Sequence, residues 1–237
     1  MARRVSIERS EARNEMRVSD KRDKAVLVVG LGRFGSALAD TLVRLDFEVL
    51  GIDADPKIVA YWAGRLTHVV EADSTSEDAL RQLGCGDVRR AVIGIGTHIE
   101  ASILTTSVLI DLGVEEIWAK AVTVAHGRIL QRVGAHHVVF PEHAVGVRVA
   151  HQVTGQMMDY IEFDPDLAMV KTRAPRELAG KTLGESGLRA KHRVTVVGIK
   201  KPGTDFTHAT GETQVDAGDI LIVSGKPTDA EKFATRV

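Results

Sequence analysis

The chain has 237 residues, 44% of them hydrophobic, which is enough to bury a sizeable core and to form one large domain with a smaller one. Its net charge of −1 excludes a chain-wide field that would gather nucleic acid or an acidic membrane. The single cysteine, Cys85, excludes an internal disulfide and a multi-cysteine metal site, and its expected role is packing. No apolar run approaches the roughly 20 residues that cross a bilayer, and the first residues show no apolar core of a secretory signal. A cytoplasmic chain is expected.

Residues 1–23 interleave arginines with acids (Arg3, Arg4, Glu8, Arg9, Glu11, Arg13) and offer little to anchor a core. They read as a flexible tail, with a basic arm as the sharper alternative. From Lys24 onward, β-branched runs alternate with helix-sized segments. The runs are Ala25 to Val29, Glu48 to Asp53, Thr67 to Glu71, Arg90 to Ile95, Glu116 to Ala121 and His136 to Phe140. Near-continuous apolar strands of this length suit a parallel sheet covered on both faces, so residues 24–141 are expected to form an α/β, Rossmann-like, doubly wound domain. Ser36 to Leu45 and Ile99 to Leu112 carry apolar residues at helical spacing and are expected on the sheet.

Residues 142–161 read as a separate helix, with Val145, Val149, Val153, Met157 and Met158 approximating one stripe. Asp164-Pro165-Asp166 breaks the chain. Beyond it, Leu167 to Thr172, Val194 to Lys200 and Ile220 to Ser224 are strand-like, with one helical segment between Glu177 and His192. Residues 162–237 are therefore expected to form a small α+β domain.

Gly30-Leu31-Gly32-Arg33-Phe34-Gly35 is a G-x-G-x-x-G sequence that follows a strand and opens a helix, and Asp53 ends the second strand 23 positions after Gly30. That context is what a dinucleotide fingerprint requires. The first glycine permits a tight turn, the second lets backbone approach phosphate, and the third lets helix and strand pack closely. Asp53 can accept from ribose hydroxyls, and Asp53 with Asp55 would repel a ribose 2′-phosphate, which disfavours NADP. Arg33 could clamp a further phosphate.

Other chemistry finds no support. No G-x-S-x-G turn is present, and Gly180-Lys181-Thr182 imitates the end of a phosphate loop with Pro175 where its first glycine should stand. His136 and His137 fall on a strand, where neighbours face opposite sides and cannot share a metal. A dehydrogenase fits the fold, but the second domain offers no evident acid–base pair. No helix-turn-helix or basic stripe points to nucleic acid.

Val28 to Gly35, Ile52 to Asp55, Glu71 to Thr75, Gly94 to Gly96, Ile117 to Lys120, Arg132 to Glu142 and Leu178 to Arg189 resemble the regulator-of-conductance-of-potassium (RCK) family, and within it the Ktr-type gating subunits. The resemblance implies an N-terminal RCK domain, a crossover helix that clasps a second subunit, and a C-terminal RCK domain. It also implies homodimers assembled into a ring, typically an octamer, beneath a membrane-embedded potassium channel or transporter. No catalysis is implied. Ktr-type members bind ATP or ADP in the first-domain cleft, while Trk-type relatives favour NAD or NADH. By position, Gly30, Gly32, Arg33, Phe34 and Gly35 would face the phosphates, and Asp53, Ala54 and Asp55 the ribose. Asp73, Ser74, Gly94, Ile95, Gly96 and Lys120 would border the same cleft. Glu142 would help hold a cation near the phosphates, or else serve only as a carboxylate at a helix N-terminus. Some members bind cyclic di-AMP across the dimer interface of the C-terminal domain, near Leu188, Arg189, Thr195 and Val196 here, although Ala190 stands where some binders carry a basic residue and a plain apolar dimer contact explains the segment equally well.

Overall fold

A computed structural model describes residues 22–155 and 157–236, in two compact units that divide after Pro141. Residues 1–21 of the expected tail lie outside the described residues. Its last two residues belong to the first unit: Arg22 Nε donates to the Asp87 carbonyl at 2.9 Å, and Asp23 pairs with Arg89 at 2.6 Å.

The first unit is built on six strands: β1 (Ala25–Val29), β2 (Glu48–Asp53), β3 (His68–Glu71), β4 (Arg90–Ile93), β5 (Glu116–Lys120) and β6 (His137–Val139). They are parallel throughout and ordered β3-β2-β1-β4-β5-β6. Residues of one strand alternate between two cores. Leu27 and Val29 of β1 join Ile93, Leu109, Ile117 and Leu130, whereas Val26 and Val28 join Ala39, Val49, Trp62 and Leu66 on the other face. Burial on both faces is why β1 is an uninterrupted apolar run instead of an alternating one. Cys85 is fully buried in the first of these cores, where burial pushes its thiol up to about 11.

Helices α1 (Arg33–Arg44), α2 (Pro56–Trp62), α3 (Glu77–Gln82), α4 (Ile99–Asp111) and α5 (Val124–Val133) alternate with the strands. α1 begins three residues before the expected Ser36, because the second half of the glycine-rich turn is already helical. β4 stops at Ile93, so Gly94 and Ile95, expected in the strand, form the loop beyond it.

Helix α6 (Pro141–Val153) starts on the last residue of the first unit and otherwise belongs to the second. Here the expected helix over 142–161 is corrected: it ends at Val153, Gly155 takes a left-handed φ of +71°, and Asp159–Asp164 is a strand, β7. β7 turns back through the expected break into β8 (Leu167–Arg173), pairing Tyr160 with Val170. With β10 (Val194–Lys200), β11 (Phe206–His208) and β13 (Ile220–Gly225) they form an antiparallel sheet ordered β11-β10-β13-β8-β7. Short β9 (Lys181–Thr182) and β12 (Gln214–Val215) pair separately.

The single helical segment expected before His192 is instead a 3-10 turn at Arg176–Leu178, β9, and two short helices, α7 (Leu183–Ser186) and α8 (Leu188–His192). Gly187, at φ +64°, separates the two helices. α9 (Pro227–Ala234) closes the unit, placing Phe233 in one core and Ala230 and Ala234 in another.

Candidate functional site

β1 and β4 are hydrogen-bonded neighbours, yet the chain leaves β1 toward β2 on one side and β4 toward β5 on the other. A doubly wound sheet leaves its crevice at that reversal, outside the carboxyl ends of the strands. The glycine-rich turn and the Gly94-Ile95-Gly96 loop both stand there.

The ladder first extends one residue each way: Gly30 N donates to the Ile52 carbonyl at 2.8 Å, and Gly94 N to the Val29 carbonyl at 2.7 Å. Gly30 then turns at φ +85°. A Cβ on Gly35 would stand 1.9 Å from the Gly30 carbonyl oxygen, and one on Gly94 would stand 2.8 Å from the same atom. Gly32 differs, since a Cβ there would meet nothing within 4 Å. Gly30, Gly35 and Gly94 are thus packing glycines, and Gly32 faces open space. Gly32 is also the N-cap of α1, with no side-chain cap and no acid in the first turn, so the positive end of a 12-residue helix is left for an external anion.

Asp53 has a bracing role that the spacing alone does not reveal. Its Oδ2 accepts from Leu31 N at 2.7 Å and its Oδ1 from Asp55 N at 2.9 Å, so one carboxylate ties the turn to the end of β2. Each oxygen retains acceptor capacity for a ribose hydroxyl. Asp55 is committed to capping α2, accepting from Lys57 N at 2.8 Å ahead of Pro56, and exposed Ala54 lies between the two acids.

Phe34, Gly96 and Lys120 come together. The Lys120 ammonium lies 5.9 Å from the Phe34 ring centroid, and a Cβ on Gly96 would approach it to 3.1 Å, so that glycine makes room for the lysine. Arg33 is exposed in the first turn of α1 and makes no ion pair among the described residues. Ile95 is half-buried beside Gly30. Asp73 accepts from the Thr75 hydroxyl at 2.7 Å and from Thr75 N at 2.9 Å, which hold its carboxyl below the ordinary value. Ser74 is buried and bonds the Thr105 hydroxyl at 2.8 Å, so its side chain joins the loop after β3 to α4.

Sequence reasoning missed Ser36 and Trp62. The Ser36 hydroxyl donates to the Leu31 carbonyl at 2.5 Å and accepts from Trp62 Nε1 at 3.1 Å, fixing the turn from behind. The available signal was a serine directly after the last glycine. His126 was also passed over. It is buried at the start of α5, burial holds its imidazole below the ordinary value, and Nδ1 accepts from Val122 N at 3.4 Å.

His136 and His137 take separate partners. Nδ1 of His136 accepts from Ile117 N at 3.0 Å, while His137 stacks on Trp118 with centroids 3.9 Å apart. Among the described residues no group of three or more His, Cys, Asp or Glu could hold a metal ion. Glu142 is exposed in the first turn of α6, in the second unit. Gly180-Lys181-Thr182 is structural: Lys181 donates to the Glu177 carbonyl at 2.9 Å, and Thr182 forms a reciprocal cap with Glu185. Leu188, Arg189, Thr195 and Val196 line one concavity of about 730 Å³, and Arg189 Nε donates to the Thr195 hydroxyl at 3.1 Å.

A Rossmann-like unit with a bare helix N-terminus at its switch point, followed by a small antiparallel domain, defines a class of nucleotide-binding regulatory proteins. The TrkA-N domain model matches residues 26–141 and the TrkA-C domain model residues 167–237, and the chain belongs to this RCK family of potassium-transport proteins. It is 37% identical to Ktr system potassium uptake protein C of Bacillus subtilis, over 90% of this chain and 97% of the relative. It is 34% identical to Ktr system potassium uptake protein A of Vibrio alginolyticus, over 86% and 93%. Among solved structures, the GsuK RCK domain superposes with a TM-score of 0.62 at 18% identity, covering 90% of this chain and 47% of that one. The GsuK channel bound to NAD gives 0.60 at 18%, covering 90% and 39%. No described helix is long and apolar enough to cross a membrane.

Proposed function

We propose that this chain is the cytoplasmic, nucleotide-responsive gating subunit of a potassium channel or transporter, that ATP and ADP occupy the switch-point cleft, and that it catalyses no reaction. The observation that carries the reading is the uncapped N-terminus of α1 with open space at Gly32. The names of the Ktr relatives support potassium uptake as the process served. The partner is a separate membrane-embedded subunit, and the chain works as a homodimer within a ring, octameric in this reading.

Gating requires the two nucleotides to bind the ring's shapes with different free energies, because a ligand that binds both alike shifts nothing. Arg33, exposed and without an ion pair among the described residues, discriminates the terminal phosphate. About 1 kcal/mol of coupling per subunit, taken over eight, exceeds the roughly 5.5 kcal/mol that carries an equilibrium from 1:99 to 99:1. Cyclic di-AMP as a second effector would meet Leu188, Arg189, Thr195 and Val196 at the 730 Å³ concavity of the C-terminal domain, with a plain apolar dimer contact as the alternative for the same segment.

A second reading, with NAD(H) in the cleft, is favoured by the Asp53 carboxylate at the end of β2 and by the NAD-bound GsuK channel. Calorimetric titration of nucleotide-stripped protein with ATP, ADP and NADH, with and without a divalent cation, separates the two. Tighter ATP or ADP binding is expected, and Arg33→Ala should narrow the ATP-to-ADP difference more than it weakens ADP. Equal losses for both nucleotides would remove Arg33 from the mechanism, and tight NADH with weak ATP would establish the second reading.

A further inference from the structure

A smaller concavity lies in the C-terminal unit, where the end of α8, the start of β10 and the last turn of α9 meet. Lys191, Arg193, Lys232 and Arg236 line about 270 Å³ with Asp229 as the opposing charge. His192 and Phe233, ring centroids 5.8 Å apart, complete the lining, and Glu177 stands at its edge with Oε1 3.7 Å from His192 Nε2. The whole chain carries a net charge of −1, so this cationic excess is local.

Many surface cations elsewhere are neutralised: Arg44 by Asp40, Arg81 by Glu77, Arg148 by Asp159, Lys226 by Asp166. Arg193, Lys232 and Arg236 make no ion pair among the described residues, and Lys191 donates to the Ser186 carbonyl at 2.8 Å. Helix C-termini attract cations, which accounts for Lys191 and Lys232 in the last turns of α8 and α9. It favours a cation at Arg193 too, but does not account for the strained backbone there. That residue caps α8 at φ +56°, a left-handed position where glycine or asparagine would be less strained.

We propose that this concavity is a binding site for a phosphate monoester, separate from the switch-point cleft and from the larger pocket of the same domain. The two guanidinium groups, of Arg193 and Arg236, can donate in the paired geometry that phosphate oxygens accept. The volume lies just below the roughly 300–1,000 Å³ of pockets that enclose whole drug-sized ligands, so a phosphate head fits and a dinucleotide does not. The head can come from a soluble phosphorylated compound or from a phosphatidic acid surface.

The test uses full-length protein saturated with ADP, so that the cleft is occupied. Inorganic phosphate is titrated calorimetrically, and co-sedimentation is measured with vesicles of phosphatidylcholine with and without phosphatidic acid. The variants are Arg193→Gly, which suits the left-handed backbone, Arg236→Gln, and Asp229→Asn, which removes the opposing charge. Saturable binding weakened about tenfold in the combined Arg193→Gly/Arg236→Gln variant and strengthened by Asp229→Asn is expected. Response to free phosphate assigns a soluble ligand; response to phosphatidic acid vesicles alone assigns the headgroup. Binding that is unsaturable in both arms, or identical across the variants, overturns the proposal.

Discussion

Gly32 and Gly35 stand three positions apart in one turn under opposite constraints. A methyl on Gly35 would press into the Gly30 carbonyl, whereas a methyl on Gly32 would meet only open space. Gly35→Ala is therefore expected to destabilise the first unit by about 1–3 kcal/mol or more, seen as a lower thermal midpoint without ligand. Gly32→Ala should cost only the ~0.5–1 kcal/mol of a weaker N-cap while lowering ADP affinity by about tenfold, since the methyl intrudes only where phosphate would sit. A Gly32→Ala protein that binds ADP normally would remove the phosphate from this turn. The motif spacing made the glycines legible as a set. It could not separate the one that faces a ligand from those that face backbone, because that depends on which carbonyl lies behind each Cα. Asp53 was legible as an acceptor, but its bond to Leu31 N depends on the register of two strands and lies beyond any local pattern.

At the scale of elements, the inner parallel strands announced themselves by apolar runs buried on both faces, the edge strands β3 and β6 by their valines alone, and each of the six lies within a residue or two of its expected place. The misread region is informative. Val145, Val149 and Val153 recur at helical spacing, and Met157 extended the pattern, so a helix was expected to run through Asp159. Gly155 at φ +71° ends that possibility, and Met157 and Tyr160 are buried against Ala168, Val170 and α9. β7 was invisible because it is an edge strand, mostly exposed and carrying Asp159, Glu162 and Asp164, so it lacks the apolar run that marked the others. What remains of α6 buries none of its residues within the chain, and Val145, Val149 and Val153 are 58%, 45% and 79% exposed. In the proposed assembly this stripe is covered by a second subunit. Val149→Glu should then reduce the molar mass measured by light scattering, with a stability change of the separated chain within about 0.5 kcal/mol. An unchanged mass would place the subunit contact elsewhere.

Across the whole molecule, the hydrophobic clusters respect the division after Pro141: two lie within the first unit and two within the second. Each unit therefore has its own core, and a fragment of residues 22–141 is expected to fold alone, with a single cooperative thermal transition. Titrating it with ADP tests whether the cleft of the first unit suffices for recognition. Full affinity would confine ADP recognition to the first unit, and a loss would show that residues beyond 141 contribute. The two hydrogen bonds that Asp53 accepts, from the turn and from Asp55, bear on how such a protein can change over generations. A descendant cannot trade that carboxylate for another cofactor's preference without loosening the turn that receives the phosphates. Its heritable freedom to acquire new ligands lies instead in Arg33 and Ala54, which stand exposed on either side of the brace.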